Sequence, residues 1–569
     1  MITFNNIPHL SFKPFKVNVE ADLAPTTLKV RNFMYALRNH PDIDWVLNVV
    51  RHCTSQTGTR IGITMDKRPY IHKELPLSED CQSAIFKNCH EGLACGWLLG
   101  PYHIDDPQRP EAVVSPMFAV AKKDSDKMRS IHDFKASKIN ESIDSDYFSP
   151  VYGTFEQAKS NLIKCGRGAW QVKHDIDHAF RNVRVHRDDW FFTAFRVGCW
   201  IFVDTRLAFG SSSSPWLWNQ VVLALLWIVS QLGVKLLTDY VDDFHLCAVT
   251  EHEALRQAKI FEDTCKWLGI PLSRSKYRIG QTIEFLGIIL CSVTWTIYIA
   301  EEKRIALLNL VNEWLDRSTA TRREIESLVG KLLWTSRAYR DGGTFCRGLI
   351  SAFIGQNPFT KLNVKTLTTF QFDLSWWSIV LQSPSKCTIT EAPFIPELLF
   401  HSDACLFGGG ALFQNKWIAI NWNSWHDQKR LQMDNLLHIN ILELLAILVS
   451  CASWGHLFKG CRITVYCDNT ASVAAVNKRK PDNAVMMSLI RRLFFLEHHF
   501  DFRLQARWLA GRTNHSADFL SRDMIASFRA INPLADASPS TARWDLIPHF
   551  DDFDITLPSL DEAVFSGCW

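Results

Sequence analysis

Apolar segments flank a short acidic sequence near the middle of the chain. Leu236 and Leu237 precede Tyr240-Val241-Asp242-Asp243-Phe244, and residues 246–249 are again largely apolar. Two apolar runs joined by a turn sequence predict a β-hairpin with the Asp pair at its tip. Adjacent carboxylates repel each other unless a cation neutralises them, and hard cations such as Mg²⁺ prefer carboxylate oxygen. A solvated Asp-Asp turn explains this pentapeptide equally well, so the neighbouring patterns decide.

A strand and a helix are predicted upstream of this hairpin. Residues 172–176 read as a strand that carries Asp175, and Ala179-Phe180 follows four and five positions later. Leu207-Ala208-Phe209-Gly210 then runs through four serines into Pro215 and an apolar segment that predicts a helix. These three ordered motifs resemble those of the reverse transcriptases, whose palm carries an Asp-x-x-x-Ala-aromatic strand, a Gly-Ser-Pro turn and a Tyr-x-Asp-Asp hairpin.

The resemblance implies a right-hand polymerase with fingers, palm and thumb. It implies two-metal nucleotidyl transfer at the palm, with two Mg²⁺ ions or Mn²⁺ in their place. Asp175 and Asp242 would hold the ions and Asp243 would support them. Phe209 and Gly210 would contact the nucleotide.

The same resemblance places the ring of Phe180 beneath the nucleotide sugar, where it excludes a 2′-hydroxyl. In a regular strand Phe180 would face away from Asp175, so the contact requires the chain to bend, which the small Ala179 permits. The alternative is a phenylalanine of the core.

Residues 115–140 read as two strands joined by a polar turn, with Lys122 ending the first strand and Arg129 on the second. The lysine ammonium and the arginine guanidinium, which can bind phosphate through two hydrogen bonds, could together contact a triphosphate from paired strands. A solvated charged hairpin is the alternative. The resemblance continues here and places Lys122 and Arg129 at the triphosphate. Downstream it places Lys276 near the incoming nucleotide and Phe285-Leu286-Gly287 at the primer end. Alone, a surface lysine and a core hairpin explain these last residues.

Residues 301–355 predict two helices, the second beginning at a Thr321-x-x-Glu324 capping box and followed by apolar residues at helical spacing. In the order of the family this unit would be the thumb, although its basic side chains are also explained by a solvent-facing surface. A segment rich in Ser, Pro and Thr at 383–396 predicts a linker.

Beyond the linker, strands and helices alternate again, and carboxylates lie at the element ends. Four acids from dispersed elements suit two hard cations, one activating water and the other stabilising the leaving oxygen. Residues 397–523 resemble ribonuclease H, and the implied catalytic and metal-binding residues are Asp403, Glu443, Asp468 and Asp518.

Each of these acids has an ordinary structural alternative. Glu443 lies three residues after Asn440 and could complete a capping box, Asp468-Asn469 could cap the next helix, and Asp518 could favour its own helix N-terminus. Many members of the family carry a mobile His before the last Asp. His515 is the only candidate here, and an ordinary loop histidine is the expectation for it.

Composition bounds the class of protein. The chain has 569 residues, 47% of them hydrophobic, and 16 cysteines without a Cys-x-x-Cys pair, which favours an intracellular protein with reduced thiols, in cytoplasm or nucleus. No secretory leader, transmembrane segment or membrane partner is predicted. The net charge is +3, and residues 525–569 hold seven acids against two arginines, so the tail carries −5 and the remainder +8. That surplus permits a phosphate-binding groove without proving one.

The sequence therefore predicts an α/β (α+β) fold: a right-hand polymerase followed by a ribonuclease H-like domain. The predicted divisions are an N-terminal extension without a chemical motif, fingers and palm, thumb or connection, linker, ribonuclease H domain and a flexible acidic tail, at 1–100, 101–300, 301–382, 383–396, 397–523 and 524–569.

The predicted function is RNA-directed DNA synthesis, also on DNA, with degradation of the RNA strand of the hybrid. The partners are an RNA template, a DNA primer, RNA/DNA hybrid and dNTPs, and the sequence carries no signal for oligomeric state. Two segments look most like those of DIRS-type retroelements, with gypsy-type elements second. They are Glu91–Pro101, before the fingers, and Leu520-Ser521-Arg522, at the end of the ribonuclease H-like region. A domesticated, inactive nucleic-acid-binding scaffold is the alternative function.

Overall fold

The computed structural model divides into two compact units. The first holds residues 1–286 and 291–294, and the second holds 287–290 and 295–569. The described residues are 18–121, 128–339, 342–384, 387–389, 397–422, 439–481, 483–500 and 502–547.

The first unit is a mixture of helices and short strands. Its helices are α1 (Val30–Ala36), α2 (Ile43–Trp45), a π-helical turn (Val46–Val50), α3 (Arg51–Cys53), α4 (Glu79–Ala94), α5 (Phe155–Cys165), α6 (Ser214–Gln231) and α7 (Glu251–Leu268). Its strands are β1 (Tyr70–Ile71), β2 (Leu98–His103), β3 (Val113–Ser115), β4 (Met117–Ala121), β5 (Met128–His132), β6 (Trp170–Asp175), β7 (Ala194–Val197), β8 (Trp200–Asp204), β9 (Leu237–Tyr240), β10 (Asp243–Ala248), β11 (Arg278–Gly280) and β12 (Thr282–Phe285).

The second unit contains two groups of elements. The first group is β13 (Ile288–Cys291, its last residue in the first unit), β14 (Thr296–Tyr298), α8 (Glu301–Asp316), β15 (Thr319–Thr321), α9 (Arg322–Thr335), α10 (Arg347–Ser351), β16 (Lys361–Asn363), α11 (Thr368–Val380) and β17 (Cys387–Thr388). The second group is β18 (Glu397–Ala404), β19 (Gly408–Phe413), β20 (Lys416–Asn421), α12 (Ile439–Trp454), β21 (Arg462–Cys467), α13 (Thr470–Lys478), α14 (Ala484–His499), β22 (Arg503–Trp508), α15 (His515–Ser521) and α16 (Ile525–Ile531).

The sheet that carries the acidic hairpin has the order β11-β6-β10-β9. His174 and Phe244 lie opposite each other on β6 and β10, and both rings contact Phe261 of α7. Because side chains alternate along a strand, Asp175 and Asp243, the next opposed pair, point to the face away from α7. The alternation therefore gives the sheet an apolar face covered by a helix and a polar face.

The segment before residue 64 is built into this core. Leu28, Phe33 and Val46 belong to the same buried cluster as Val172 of β6 and Phe244 of β10. The backbone N–H of Lys29 donates to the carbonyl of Leu268 at 2.9 Å. The predicted N-terminal extension is therefore, from residue 18, a structural part of the first unit.

A glycine permits this docking. Gly269 ends α7 with φ +81, and a Cβ there would lie 1.9 Å from the carbonyl oxygen of Thr27. A side chain would meet backbone that cannot move aside, so only glycine allows the N-terminal segment to approach this closely.

The C-terminal sheet has the order β20-β19-β18-β21-β22, with β18, β21 and β22 parallel and β19 and β20 antiparallel. Its main helix, α12, is buried from Ile441 to Trp454. Residues 439–457 are long and apolar enough to cross a membrane by composition alone, but this stretch is mostly buried inside the protein. Burial of that kind is what the central helix of a core shows.

Two predictions about irregular segments are wrong in part. The predicted linker contains β17, which pairs with β14 through Thr388 and Thr296. The predicted flexible tail packs on the C-terminal sheet as far as it is described: the ring of Phe528 is fully buried and lies 5.3 Å from that of Trp417. Ile547 also belongs to the core. Apolar side chains scattered among Pro and Ser gave no periodic signal for this docking; residues 548–569, with most of the acidic charge, lie outside the described residues.

A buried ion pair joins the two groups of elements in the second unit. Asp373 of α11 pairs with Arg491 of α14, and both side chains are almost inaccessible. The Arg491 guanidinium lies 5.2 Å from the ring of Phe372, and Asp373 also accepts the backbone N–H of Gly348 at 2.6 Å. Removing one partner would leave a buried charge, so the pair fixes α11 against α14.

His174 makes the first unit sensitive to acid. Burial lowers the pKa of His174 to about 4, from 6.5 in an unfolded chain. Because the folded state binds fewer protons than the unfolded state in this range, about 3 kcal/mol of stability should be lost as pH falls from 6.5 to about 4. His174→Phe keeps the stacking on Phe261 without a titrating group. We expect urea denaturation to show a smaller loss of stability for this variant than for wild type.

The control is His52→Phe, at an exposed position of α3. It should keep the full pH dependence of wild type. Equal pH dependence in the His174→Phe variant and wild type would show that His174 is not the group responsible.

Candidate active sites

The first candidate site lies at the β9–β10 hairpin. Val241 and Asp242 form its two-residue turn, and Asp243 begins β10 directly opposite Asp175, the last residue of β6. Asp242 is tied to the end of β6 because its carbonyl accepts the N–H of Ile176 at 2.9 Å. The three predicted palm carboxylates are therefore brought to one end of the sheet.

The turn that presents them is strained. Val241 has φ +58, which is a rare conformation for a β-branched residue. The indole N–H of Trp218, on α6, donates to the Val241 carbonyl at 2.7 Å and holds the turn. Strain held by neighbouring structure is typical of functional sites, and the Trp218 contact explains why the helix after the serine run lies beside the hairpin.

Two lysines partly neutralise these carboxylates. The Lys276 ammonium lies 2.6 Å from Asp175 Oδ2, and the Lys173 ammonium lies 3.2 Å from Asp243 Oδ1. Burial raises the pKa of Asp175 to about 6 despite the hydrogen bond from Lys276, and Asp242 adds repulsion. Burial and then Asp243 also raise the pKa of Asp242. The site therefore has more negative charge than the protein's own cations compensate.

The predicted nucleotide-side residues are brought together in part. The rings of Phe180 and Phe209 lie 5.0 Å apart, and the Arg129 guanidinium lies 4.6 Å from the ring of Phe209. The chain bends after β6: His178 has φ +49, and a 3-10 helix, Ala179–Asn182, follows. Phe180 is only 9% exposed, so a ligand could reach one edge of its ring at most.

Gly210 requires glycine, because its φ is +111 and a Cβ would lie 2.1 Å from the His132 carbonyl oxygen. Lys122 lies outside the described residues. At the predicted primer grip, Phe285 is fully buried, and its ring stacks on that of His245 with centroids 5.0 Å apart. This burial agrees with the alternative interpretation, a hairpin of the core. Leu286 turns the chain with φ +52. Gly287 also has positive φ, at +83.

The second candidate site lies at the end of the C-terminal sheet. Carboxylate oxygens of Asp403, Glu443 and Asp468 all lie within 4.8 Å of one another. Asp403 is on β18, Glu443 on α12, and Asp468 follows β21. The adjacent parallel strands β18 and β21 end side by side, which explains how residues distant in sequence converge.

The local contacts exclude the capping alternative for Asp468. Asn469 is the residue that caps α13, since its side chain accepts the N–H of Ser472 at 2.9 Å, and this leaves the Asp468 carboxylate available. The Asn440 side chain bonds to Asn469 at 2.7 Å. Oε2 of Glu443, a residue 3% exposed, has no hydrogen-bond partner among the described residues.

Asp518 is set apart from this group. Asp518 lies on α15, and its carboxylate accepts a hydrogen bond of 2.6 Å from the Arg522 guanidinium. It still contributes repulsion that raises the pKa of Asp403, and Ser521 of the same helix donates to Asp403 at 2.6 Å. His515 lies beside Phe519, with ring centroids 6.3 Å apart. The structure thus places three predicted acids together and Asp518 at their margin.

The chemistry of this cluster fits a cation. Burial, followed by repulsion from neighbouring carboxylates, raises the pKa of Asp403 to about 6 and that of Glu443 to about 9. A buried carboxylate oxygen without a partner, aimed at two further carboxylates, is the donor set of a hard divalent ion. The acids of the first site present the same oxygen chemistry.

Sequence reasoning missed several residues that shape these sites. Lys173, Trp218 and Ser521 each contact the acids or their turn through side chains on regular elements. A lysine or tryptophan within a strand or helix carries no local signal for such a role. Only the tertiary arrangement reveals them.

Comparison with known proteins agrees with the first site. Residues 120–290 match the family described as Reverse transcriptase (RNA-dependent DNA polymerase). The Transposon Tf2-3 and Tf2-7 polyproteins of Schizosaccharomyces pombe (strain 972 / ATCC 24843) are each 20% identical over 523 residues, which cover 89% of this chain. The chain spans 36% of the length of these relatives.

Among solved structures, a foamy viral protease-reverse transcriptase bound to double-stranded DNA matches with a TM-score of 0.49 and 15% identity, covering 88% of this chain and 84% of that one. The same kind of protein bound to RNA/DNA hybrid matches with a TM-score of 0.46 and 17% identity, covering 88% and 65%.

The observed helices and strands confirm the predicted mixed α/β class. The family match covers the strands and hairpin that carry Asp175, Asp242 and Asp243. Residues 120–290 therefore correspond to a reverse transcriptase domain.

Proposed function

We propose that this chain is an RNA-directed DNA polymerase that also degrades the RNA strand of the hybrid it makes. The observation that carries the first activity is the opposition of Asp175 and Asp243, with Asp242 at the hairpin tip, inside the matched domain. The second activity rests on the convergence of Asp403, Glu443 and Asp468. RNA template, DNA primer, dNTPs and hybrid are the proposed partners.

At the first site, Asp175 and Asp242 would hold Mg²⁺, and Asp243 would support it. Bound there, Mg²⁺ supplies neutralisation of the carboxylates and of the triphosphate, and acidifies the primer hydroxyl. The protein's residues set the geometry: the strained turn fixes Asp242, and the Lys276 ammonium holds Asp175 through a contact of 2.6 Å. We assign Lys276 to the incoming nucleotide, because it lies at the acidic end of the sheet.

The nucleotide would lie between this acidic end and the Arg129–Phe209–Phe180 stack. Arg129 offers a bidentate fork to phosphate, while the aromatic rings offer an apolar floor under the sugar. Template sequence would be read by base pairing alone, because the proposed enzyme copies any sequence.

At the second site, Asp403, Glu443 and Asp468 would hold the divalent ion that activates water for phosphodiester cleavage. Ser521 orients Asp403, and Asn469 takes the helix cap and so leaves Asp468 available. Asp518 would complete the set from the margin when its bond to Arg522 opens. His515 packs on Phe519, and we assign it no step.

We further propose a retroelement origin and an intracellular location. The similarity to Tf2 polyproteins supports a gypsy-like element, the second of the two predicted subtypes. The DIRS-type assignment rests only on the Glu91–Pro101 lead-in and the Leu520-Ser521-Arg522 ending, and stays a prediction. Among the described cysteines all are free, which supports a reducing compartment.

Single substitutions at the two acidic sites should separate the two activities. Asp242→Asn should reduce primer extension on RNA by at least about a hundredfold, since it removes a charge worth several kcal/mol at the reacting centre, and should leave hybrid cleavage intact. Asp468→Asn should have the opposite effect. A labelled RNA template annealed to a labelled DNA primer reports both activities in one reaction.

Circular dichroism and thermal unfolding control for the fold of each variant. If a folded single variant lost both activities, the two sites would not be independent. If wild type showed neither activity, an inactive scaffold would be the better account.

Phe180 is expected to select the sugar of the incoming nucleotide. Its ring would occupy the space of a 2′-hydroxyl and offers no hydrogen-bond partner, a penalty of about 1–3 kcal/mol for a ribonucleotide. Phe180→Val should therefore raise the incorporation of ribonucleotides relative to deoxyribonucleotides by about tenfold. Single-nucleotide extension with each substrate measures the ratio.

Because Phe180 is largely buried, Phe192→Val provides a matched control for lost core volume. Phe192 is 2% exposed and belongs to a different apolar cluster. The control should lower stability without changing sugar choice. An active Phe180→Val enzyme with unchanged discrimination would remove Phe180 from the nucleotide site.

A further inference from the structure

An exposed tryptophan is fixed at the edge of the second acidic cluster. Trp508 ends β22 and is 57% exposed. Its indole N–H donates to the backbone carbonyl of Asp468 at 3.0 Å. The side chain is therefore held in one place with its ring open to solvent, beside a residue that also offers its carboxylate to the cluster.

An arginine lies on the same turn. The 3-10 helix Gly511–Thr513 passes so close to Asp468 that a Cβ on Gly511 would lie 2.6 Å from Oδ2. This approach brings the next residue, Arg512, to the rim of the cluster. Arg512 is exposed and makes no ion pair with any residue that the structure describes.

The pair has the chemistry of a nucleic-acid contact. Aromatic faces stack on bases or pack on sugars, and a nearby guanidinium binds phosphate. A docked protein on this surface would cover Asp468 and its neighbours, whereas a nucleic-acid strand placed there would bring a phosphodiester to the carboxylates. The location therefore favours a strand of the substrate over a protein partner.

We propose that Trp508 and Arg512 form a subsite for the RNA strand of an RNA/DNA hybrid, next to the bond that is cut. The Trp508 ring packs against a ribose or base, and Arg512 binds a flanking phosphate. This inference rests on the proposed hybrid-cleaving activity of the same centre. Trp508 and Arg512 would act as positioning residues. They would align the RNA strand so that the bond to be cut lies at the carboxylates.

Photocross-linking tests the contact directly. The full chain carrying Asp468→Asn, which keeps the RNA uncut, is bound to hybrids with 5-iodouridine at successive RNA positions. Irradiation should link one short window of RNA to the peptide that contains Trp508. Trp508→Phe should keep the link and Trp508→Leu should lose it, because the contact uses the ring face and not the indole N–H. A link that never maps to residue 508 overturns the proposal.

Cleavage kinetics in the otherwise wild-type chain provide the second readout. Trp508→Leu should raise the half-saturating hybrid concentration about tenfold, with the single-turnover rate at saturation little changed. Trp508→Phe should restore binding; if it instead behaved like Trp508→Leu, the indole bond to Asp468 would be the whole effect and the proposal would be wrong. Primer extension by each variant checks that the polymerase is intact.

A plot of the logarithm of the half-saturating hybrid concentration against the logarithm of the salt concentration gives the salt dependence of binding. Arg512→Gln should reduce the slope of this plot by about one unit, because one phosphate contact is lost. Lys459→Gln is the matched control: Lys459 is exposed and precedes β21, whose six residues separate it from Asp468 by roughly 20 Å. An unchanged slope for Arg512→Gln, or an equal change for Lys459→Gln, would contradict the subsite.

The results distinguish two failures. If wild type cleaves hybrid and the Trp508 and Arg512 variants match it, the subsite is wrong and the proposed activity stands. If wild type leaves hybrid intact but RNA still cross-links to Trp508, the activity is wrong and the RNA contact stands.

Discussion

Mutual repulsion between carboxylates is the constraint on which both sites depend. In the first unit, Asp175 and Asp243 face each other across two hydrogen-bonded strands, with Asp242 in the connecting turn. In the second, three acids lie within 4.8 Å of one another, and burial with repulsion raises the pKa of Glu443 to about 9. Neither arrangement is stable by itself, so the surrounding core must hold it in place.

The two units hold their acidic residues in place in different ways. In the first unit, strand alternation turns His174 and Phe244 toward α7, and this packing leaves the acidic pair on the opposite face. Lys276 and Lys173 offset part of the charge. In the second unit, the acids come from two parallel strands and the buried helix α12, and no lysine or arginine pairs with the three clustered carboxylates among the described residues. The second cluster therefore has the greater need of a cation.

Much of this could be predicted, because the signals are local. The strand Glu397–Ala404 and the capping box at Thr321 and Glu324 were both predicted from the residues of their own segments. What failed depended on distant contacts: Phe33 in the palm core, Phe528 on Trp417, and β17 in a segment that reads as a linker. Periodicity describes which face of an element is apolar, but not what covers it. For the same reason the acids were predictable as a set, while Lys173, Ser521 and Trp508 were not.

The central claim is that both acidic sites are held against repulsion until a divalent cation binds. Glu443→Gln tests this directly, since it removes the most strongly perturbed acid with almost no change of shape. We predict that, in the presence of a chelator, this variant unfolds at a higher temperature than wild type, and that added Mg²⁺ raises the unfolding temperature of the second unit in wild type but much less in the variant. A variant less stable than wild type without Mg²⁺, or stabilised by Mg²⁺ to the same extent, would contradict the account.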